Sequence, residues 1–233
     1  RPTNGFIMMN APLGLVCPCD PEGAFALSYD VDFISDGYAK YSSAMAAAVV
    51  ASALCPDATI TDAIEGALRA CQAHRVEGEL TRRWHGYEHV FQLNERLVRT
   101  AVEIAAEHEN VFSLRPEYYR ALEVSTLGAE AAQTLAVALG MLTAAKGDVR
   151  DALIGCVNYG RDNDSYASVA GAIGGALSGT DAIPAEWRAT VEGANPEPSI
   201  EGLSLDLTQV VVERQGRARE TVAQVDRLLG PCK

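Results

Sequence analysis

Strand signal is missing from this chain. Across its 233 residues no segment alternates apolar and polar side chains over a strand's length. The nearest candidate, Val210-Val211-Val212, sits in a charged, helix-like context. No stretch of about 18 residues is apolar and unpunctuated enough to read as a membrane span. No basic segment leads into a short apolar one, so a secretory leader is not visible. Basic charge is scarce: 19 Lys and Arg against 31 Asp and Glu leave a formal charge of −12. No Lys/Arg stripe offsets that surface locally, and it repels nucleic-acid phosphates. Neither nucleic acid nor a membrane is therefore expected as a partner, and a cytoplasmic location is. No internal repeat is apparent, and aromatics make up only 6%, which leaves Ala and Leu to fill the core.

The cysteines carry no framework. Cys17, Cys19, Cys55, Cys71, Cys156 and Cys232 are scattered. Cys17-Pro-Cys19 has the wrong spacing for a zinc knuckle and no paired second half. Thiols on helical apolar faces behave as small hydrophobes, and reduced structural cysteines are the expectation.

What is present is helical punctuation. Residues 1 to 18 read as irregular, broken by Asn4-Gly5, Pro12, Gly14 and Pro18. Asp20-Pro21 is a helix start, with Asp as N-cap and Pro at the first helical position; Asp36-Gly37 is read as its end. An Ala-rich helix spans Tyr38 to Leu54 and stops before Pro56. Ile60, Ile64, Leu68 and Cys71 mark a third helix, with Asp62 and Glu65 read as its capping box. The polar span from His74 to His89 holds Trp84 and His85 and reads as a solvated connection; His85 and His89, four apart, make at most a weak metal pair. Further helices follow at Leu93–Ile104, Ala129–Ala144, from Asp148 to Asn158, behind Ser165, and from Pro184. Residues 193 to 199 read as a linker, and Leu203 to Leu229 as a helical hairpin or one helix broken at Gly216. The fold class is all-α, with a domain at residues 1–192 and a linker with peripheral helices at 193–233.

Chemistry concentrates at Asp162-Asn163-Asp164-Ser165, which opens into a run of small residues from Tyr166 to Gly179. Two carboxylates two residues apart, beside a hydroxyl, form a hard-oxygen set suited to Mg²⁺, Mn²⁺ or Ca²⁺. At a helix N-terminus a cation meets an unfavourable dipole, which the two acids must offset. The helix N–H groups stay available to phosphate or hydroxyl oxygens. The same residues also suit plain capping, because Asp and Ser satisfy first-turn N–H groups. Both readings stand at this point.

The order of features adds more. Cys156-Val-Asn158-Tyr-Gly160-Arg-Asp-Asn-Asp-Ser165, a small-residue helix, then Ile183-Pro-Ala-Glu-Trp187 closely resembles the ADP-ribosylglycohydrolase family. There the segment usually reads Asn-x-Gly-Gly-Asp-Thr-Asp-Thr, then an Ala/Gly helix, then Ile-Pro-x-x-Trp. Thr3-Asn4-Gly5-Phe6-Ile7-Met8-Met9-Asn10-Ala11-Pro12-Leu13-Gly14 is similar to the family's Gly-Asn-Gly-x-x-Met-Arg-x-x-Pro-x-Gly loop. The likeness covers roughly residues 3 to 190.

The resemblance implies a compact all-α fold, two divalent ions (Mg²⁺, or Mn²⁺ in its place) and hydrolysis of the ribosyl C1″ bond of ADP-ribose. It implies Asp162 and Asp164 as catalytic residues, and Asp162, Asp164 and Ser165 as metal ligands. It assigns Asn4, Gly5, Phe6 and Gly160 to substrate binding.

Departures qualify the likeness. The family's upstream Thr-Asp-Asp-Thr motif has no counterpart; Thr61-Asp62 is followed by Ala63 on a core-facing helix. This predicts a C-terminal portion lacking an N-terminal segment, with an upstream piece completing the site. Met9 stands where Arg is usual, Ser35-Asp36 near a usual His, and Arg161 in place of the motif's second Gly. These changes fall on the expected ligand side and allow a smaller ribosyl or nucleoside-like substrate. A non-catalytic ADP-ribose or nucleotide binder on the same scaffold is the alternative.

Overall fold

A computed structural model describes residues 3–74, 90–124 and 129–230. Among the described residues there are eleven α-helices and no strand. In chain order they are α1 (Ala11–Leu15), α2 (Pro21–Val31), α3 (Tyr38–Ala53), α4 (Ile60–Ala73), α5 (Val90–Ala106) and α6 (Arg115–Ala121). Then follow α7 (Ala131–Ala144), α8 (Val149–Tyr159), α9 (Asn163–Ser178), α10 (Ala185–Ala194) and α11 (Ile200–Leu229). A 3₁₀ turn lies at Thr180–Ala182. The chain divides into two compact units, Arg1–Trp187 and Arg188–Lys233. His85 and His89 lie outside the described residues.

In the first unit α3 and α7 are the central helices. A helix apolar on all sides must be buried on all sides. Every residue of α3 except Lys40 is buried, and every residue of α7 except Thr143. α3 packs against α1, α2, α4, α7 and α9, and α7 against α5, α8 and α9. Ala at most contact positions lets the backbones approach closely, while Leu135, Leu139, Met45 and Phe25 fill what remains. Ile60, Ile64, Leu68 and Cys71 are all buried, as their spacing on α4 requires. Burial pushes the Cys71 and Cys156 thiols up to about 12. They stay protonated at neutral pH and act as packing groups.

Local chemistry sets the boundaries, not always where the sequence places them. Asp20 does cap α2, accepting from the Gly23 N–H at 2.9 Å. Yet α2 stops at Val31, five residues before Asp36. The Asp32 carboxylate accepts from the N–H groups of Ile34 (3.1 Å) and Ser35 (2.8 Å), offering the backbone a turn in place of another helical step. The α4 capping box is Thr59 with Asp62, not Asp62 with Glu65. The Thr59 hydroxyl accepts from the Asp62 N–H, and Asp62 accepts from the Thr59 N–H at 2.9 Å. The turn at residues 1 to 18 contains α1, because Pro12 lies in the first turn and starts a helix there rather than breaking one. α11 runs unbroken through Gly216.

The capping box carries a pH consequence. The side-chain and backbone hydrogen bonds from Thr59 hold the Asp62 carboxyl below its ordinary value of 3.8. A carboxylate whose folded pKa is depressed stabilises the fold above its unfolded pKa, and that stability is lost as pH falls through the folded pKa. Wild type should therefore lose stability below pH 3.8 more steeply than Asp62→Ala. Acid titration followed by circular dichroism checks this; parallel curves would remove the capping role.

Candidate active site

The acidic motif sits at a junction of two irregular backbone positions. Gly160 ends α8 at φ 84° and Arg161 follows at φ 54°, both left-handed. Arg161 has a Cβ there, which costs about 1–2 kcal/mol. The cost is offset by its surroundings. Its guanidinium lies over the Tyr119 ring at 4.6 Å and pairs with Glu123 at 3.3 Å. Tyr119 in turn donates to the Tyr159 carbonyl at 2.8 Å, bracing the residue just before the turn. Arg161, read from sequence as a ligand-side change, has its charge engaged by these two partners.

The turn delivers Asp162 to the N-cap position of α9. Its side chain makes no capping hydrogen bond. Instead it accepts from the Asn4 side-chain amide, 158 residues away in sequence. The same amide nitrogen donates to the Thr134 hydroxyl at 3.1 Å, and Thr134 donates to the Glu130 carbonyl at 2.8 Å. Asn4, Thr134 and Glu130 are all buried. The Glu130 carboxylate accepts from the Tyr38 hydroxyl at 2.5 Å. Burial first, then the bond to Glu130 and its charge, push the Tyr38 phenol far above its ordinary value. One polar chain therefore runs from the start of α3, through the start of α7 and the N-terminal loop, to the start of α9.

Asp164 lies in the first turn of α9, exposed, with no hydrogen bond or ion pair among the described residues. Ser165 is 1% exposed, and its hydroxyl faces the Met8 sulfur at 2.9 Å. Behind the motif Tyr159 meets Tyr118, Tyr119 and Tyr166 edge-on, with ring centres 4.9 to 6.4 Å apart. Burial pushes the Tyr159 phenol up to about 12. These tyrosines are a rigid backing for α8 and α9.

Of the residues singled out from sequence, Asn4 and Asp162 are brought into contact, and Gly160 lies two residues from Asp162 on the same turn. Gly5 is half-buried and Phe6 buried beside Asn4 in the chain. Sequence reasoning gave no site role to Thr134, Glu130 or Tyr38. No local pattern marks them, since each acts through a partner distant in sequence. It also passed over Asp32, 1% exposed, whose second carboxylate oxygen has no hydrogen-bond partner among the described residues.

The ADP-ribosylglycohydrolase family model matches residues 1–217. The chain belongs to the ADP-ribosylglycohydrolase family. No curated protein and no solved structure matches it. The family is one of glycohydrolases, and glycosyl-bond hydrolysis is the class of activity that membership carries. Among the described residues no helix is long and apolar enough to cross a membrane.

The donor set fits one hard cation. Mg²⁺ takes one or two protein carboxylates and keeps several waters. Asp162 and Asp164 supply two, neither used for capping. The Ser165 hydroxyl could join them only by turning from the Met8 sulfur. No group of three or more His, Cys, Asp or Glu able to hold a metal occurs among the described residues, so water or substrate would have to complete the coordination.

Proposed function

We propose that this glycohydrolase is Mg²⁺-dependent and cleaves the ribosyl C1″ glycosidic bond of an ADP-ribosylated or related ribosyl substrate. The observation carrying this reading is that Asp162 sits in the N-cap position and does not cap. A carboxylate in that place ordinarily bonds a first-turn N–H for about 1 kcal/mol. Asp162 forgoes that bond and is oriented from outside the helix by Asn4, as a ligand must be.

The residues divide the work. Asn4 and Thr134 fix the Asp162 carboxylate. Asp164, exposed, reaches solvent and can take a proton from an attacking water. Breaking a glycosyl bond builds oxocarbenium-like positive charge on the sugar, which the two carboxylates stabilise. When bound, Mg²⁺ supplies orientation of ribose hydroxyls and a lowered water pKa. The free N–H groups of the first turn of α9 can receive a ribose hydroxyl or phosphate oxygen.

The test is release of ADP-ribose from ADP-ribosylated acceptors. Activity should vanish with EDTA and return with added Mg²⁺; turnover indifferent to EDTA would defeat the metal role. One observation favours a second reading, a binder that does not turn over: among the described residues no group of three or more His, Cys, Asp or Glu that could hold a metal occurs. Calorimetric binding of ADP-ribose with no product after prolonged incubation would select it.

A further inference from the structure

The 30 residues of α11 include not one buried residue. At 1.5 Å per residue the helix is about 45 Å long. It nevertheless has a mainly apolar face. At about 100° per residue, Ile200, Leu203, Leu207, Val210, Val211, Ala218, Val222, Val225, Leu228 and Leu229 fall within an arc of roughly 120°, interrupted by Ser204, Arg214 and Thr221. Leu203 is 48% exposed, Val225 44% and Leu228 85%. A surface helix with such a stripe ordinarily lays it against something.

Charge selects what covers it. From Ile200 to Glu213 the helix has three acids (Glu201, Asp206, Glu213) and no base. From Arg214 to Leu229 it has four arginines against Glu220 and Asp226. A second α11 laid parallel would set like charge over like. Laid antiparallel, it sets the acidic half over the basic half, and the two helix dipoles oppose favourably. Asp206 and Arg217 are 11 residues apart, hence about 20° apart around the helix, on one flank of the stripe. An antiparallel pair crossing near Val211 brings each Asp206 to the partner's Arg217 position and stacks the stripes. Arg217 has at present only a marginal 4.0 Å contact to Glu213 in its own helix.

We propose that α11 is a dimerisation helix whose occupant is an antiparallel α11 from a second copy of this chain. This stands apart from the catalytic reading, since it uses no residue of the site. Sedimentation velocity or light scattering over a concentration series on the full chain tests it. Wild type should pass from monomer to dimer. Val211→Glu should be monomeric, with the same helix content and unchanged hydrolysis. Asp206→Arg alone and Arg217→Asp alone should each weaken the dimer about tenfold, as like charges then meet. The double exchange should restore it, which mere loss of folding would not do. A wild type that stays monomeric to its solubility limit overturns the proposal, as does a dimer indifferent to Val211→Glu. So does a charge exchange that fails to rescue.

Discussion

Replacing Asp162 and Asp164 together with Ala should lower kcat/KM for ADP-ribose release by at least about a thousandfold, some 4 kcal/mol of transition-state stabilisation. The fold should lose little beyond the hydrogen bond from Asn4 to Asp162, about 1–3 kcal/mol. Asp164 is exposed, with no hydrogen bond or ion pair among the described residues. Asp162 makes no capping bond that could be lost. A capping role would give a similar loss of stability, about 1 kcal/mol, with activity intact, so hydrolysis decides between them. Thermal unfolding and hydrolysis are read on the same preparation. Asn4→Ala is the intermediate case. It leaves both carboxylates in place but frees Asp162 to rotate, so activity should fall less than in the double variant. Activity equal to wild type in the double variant would remove both acids from the chemistry.

The link between Asn4 and Asp162 is the part of the site that local reasoning could not reach. Asp162, Asp164 and Ser165 announce themselves by type and by the helix behind them. Asn4 is conspicuous only as part of a loop, and nothing local shows that its amide nitrogen donates to Thr134 and Asp162. The polar chain continues to Glu130 and Tyr38, which are 92 residues apart. No sequence spacing encodes such a pairing; it arises because α3 and α7 lie side by side. Long helices were readable from their apolar spacing and caps, as with α4 and the Asp148 cap of α8. Short ones were not: α6 has seven residues, too few for a period, and like α1 has a proline in its first turn. Gly216 misled in the other direction. An exposed glycine costs a helix about 1 kcal/mol, which a 30-residue helix with regular neighbours absorbs.

Gly140→Ala should be the most damaging single-methyl change in the core. Gly140 lies in the middle of buried α7, and a Cβ there would stand 1.9 Å from the Tyr118 hydroxyl and 2.7 Å from the ring carbon bearing it. Neither group can yield. Tyr118 is fully buried, packs edge-on to Tyr159, and donates to the Ala101 carbonyl at 2.7 Å. That hydroxyl ties α6 to α5, with α7 close beneath, so relief of the overlap means moving a helix or losing the bond. Overpacking of this kind costs about 1–3 kcal/mol, and loss of the hydrogen bond adds roughly 1 more. Helix propensity works the other way, since Ala exceeds Gly by about 1 kcal/mol, and the net expectation is a destabilisation of about 1–3 kcal/mol. Urea unfolding of Gly140→Ala, Tyr118→Phe and the pair forms a cycle that isolates the contact. Tyr118→Phe alone should cost about 1 kcal/mol. In that background Gly140→Ala should cost less than in wild type, though not nothing, because the ring carbon remains. Strict additivity would mean that α7 and Tyr118 do not meet at this point, and the close packing on which the central helices depend would need another explanation.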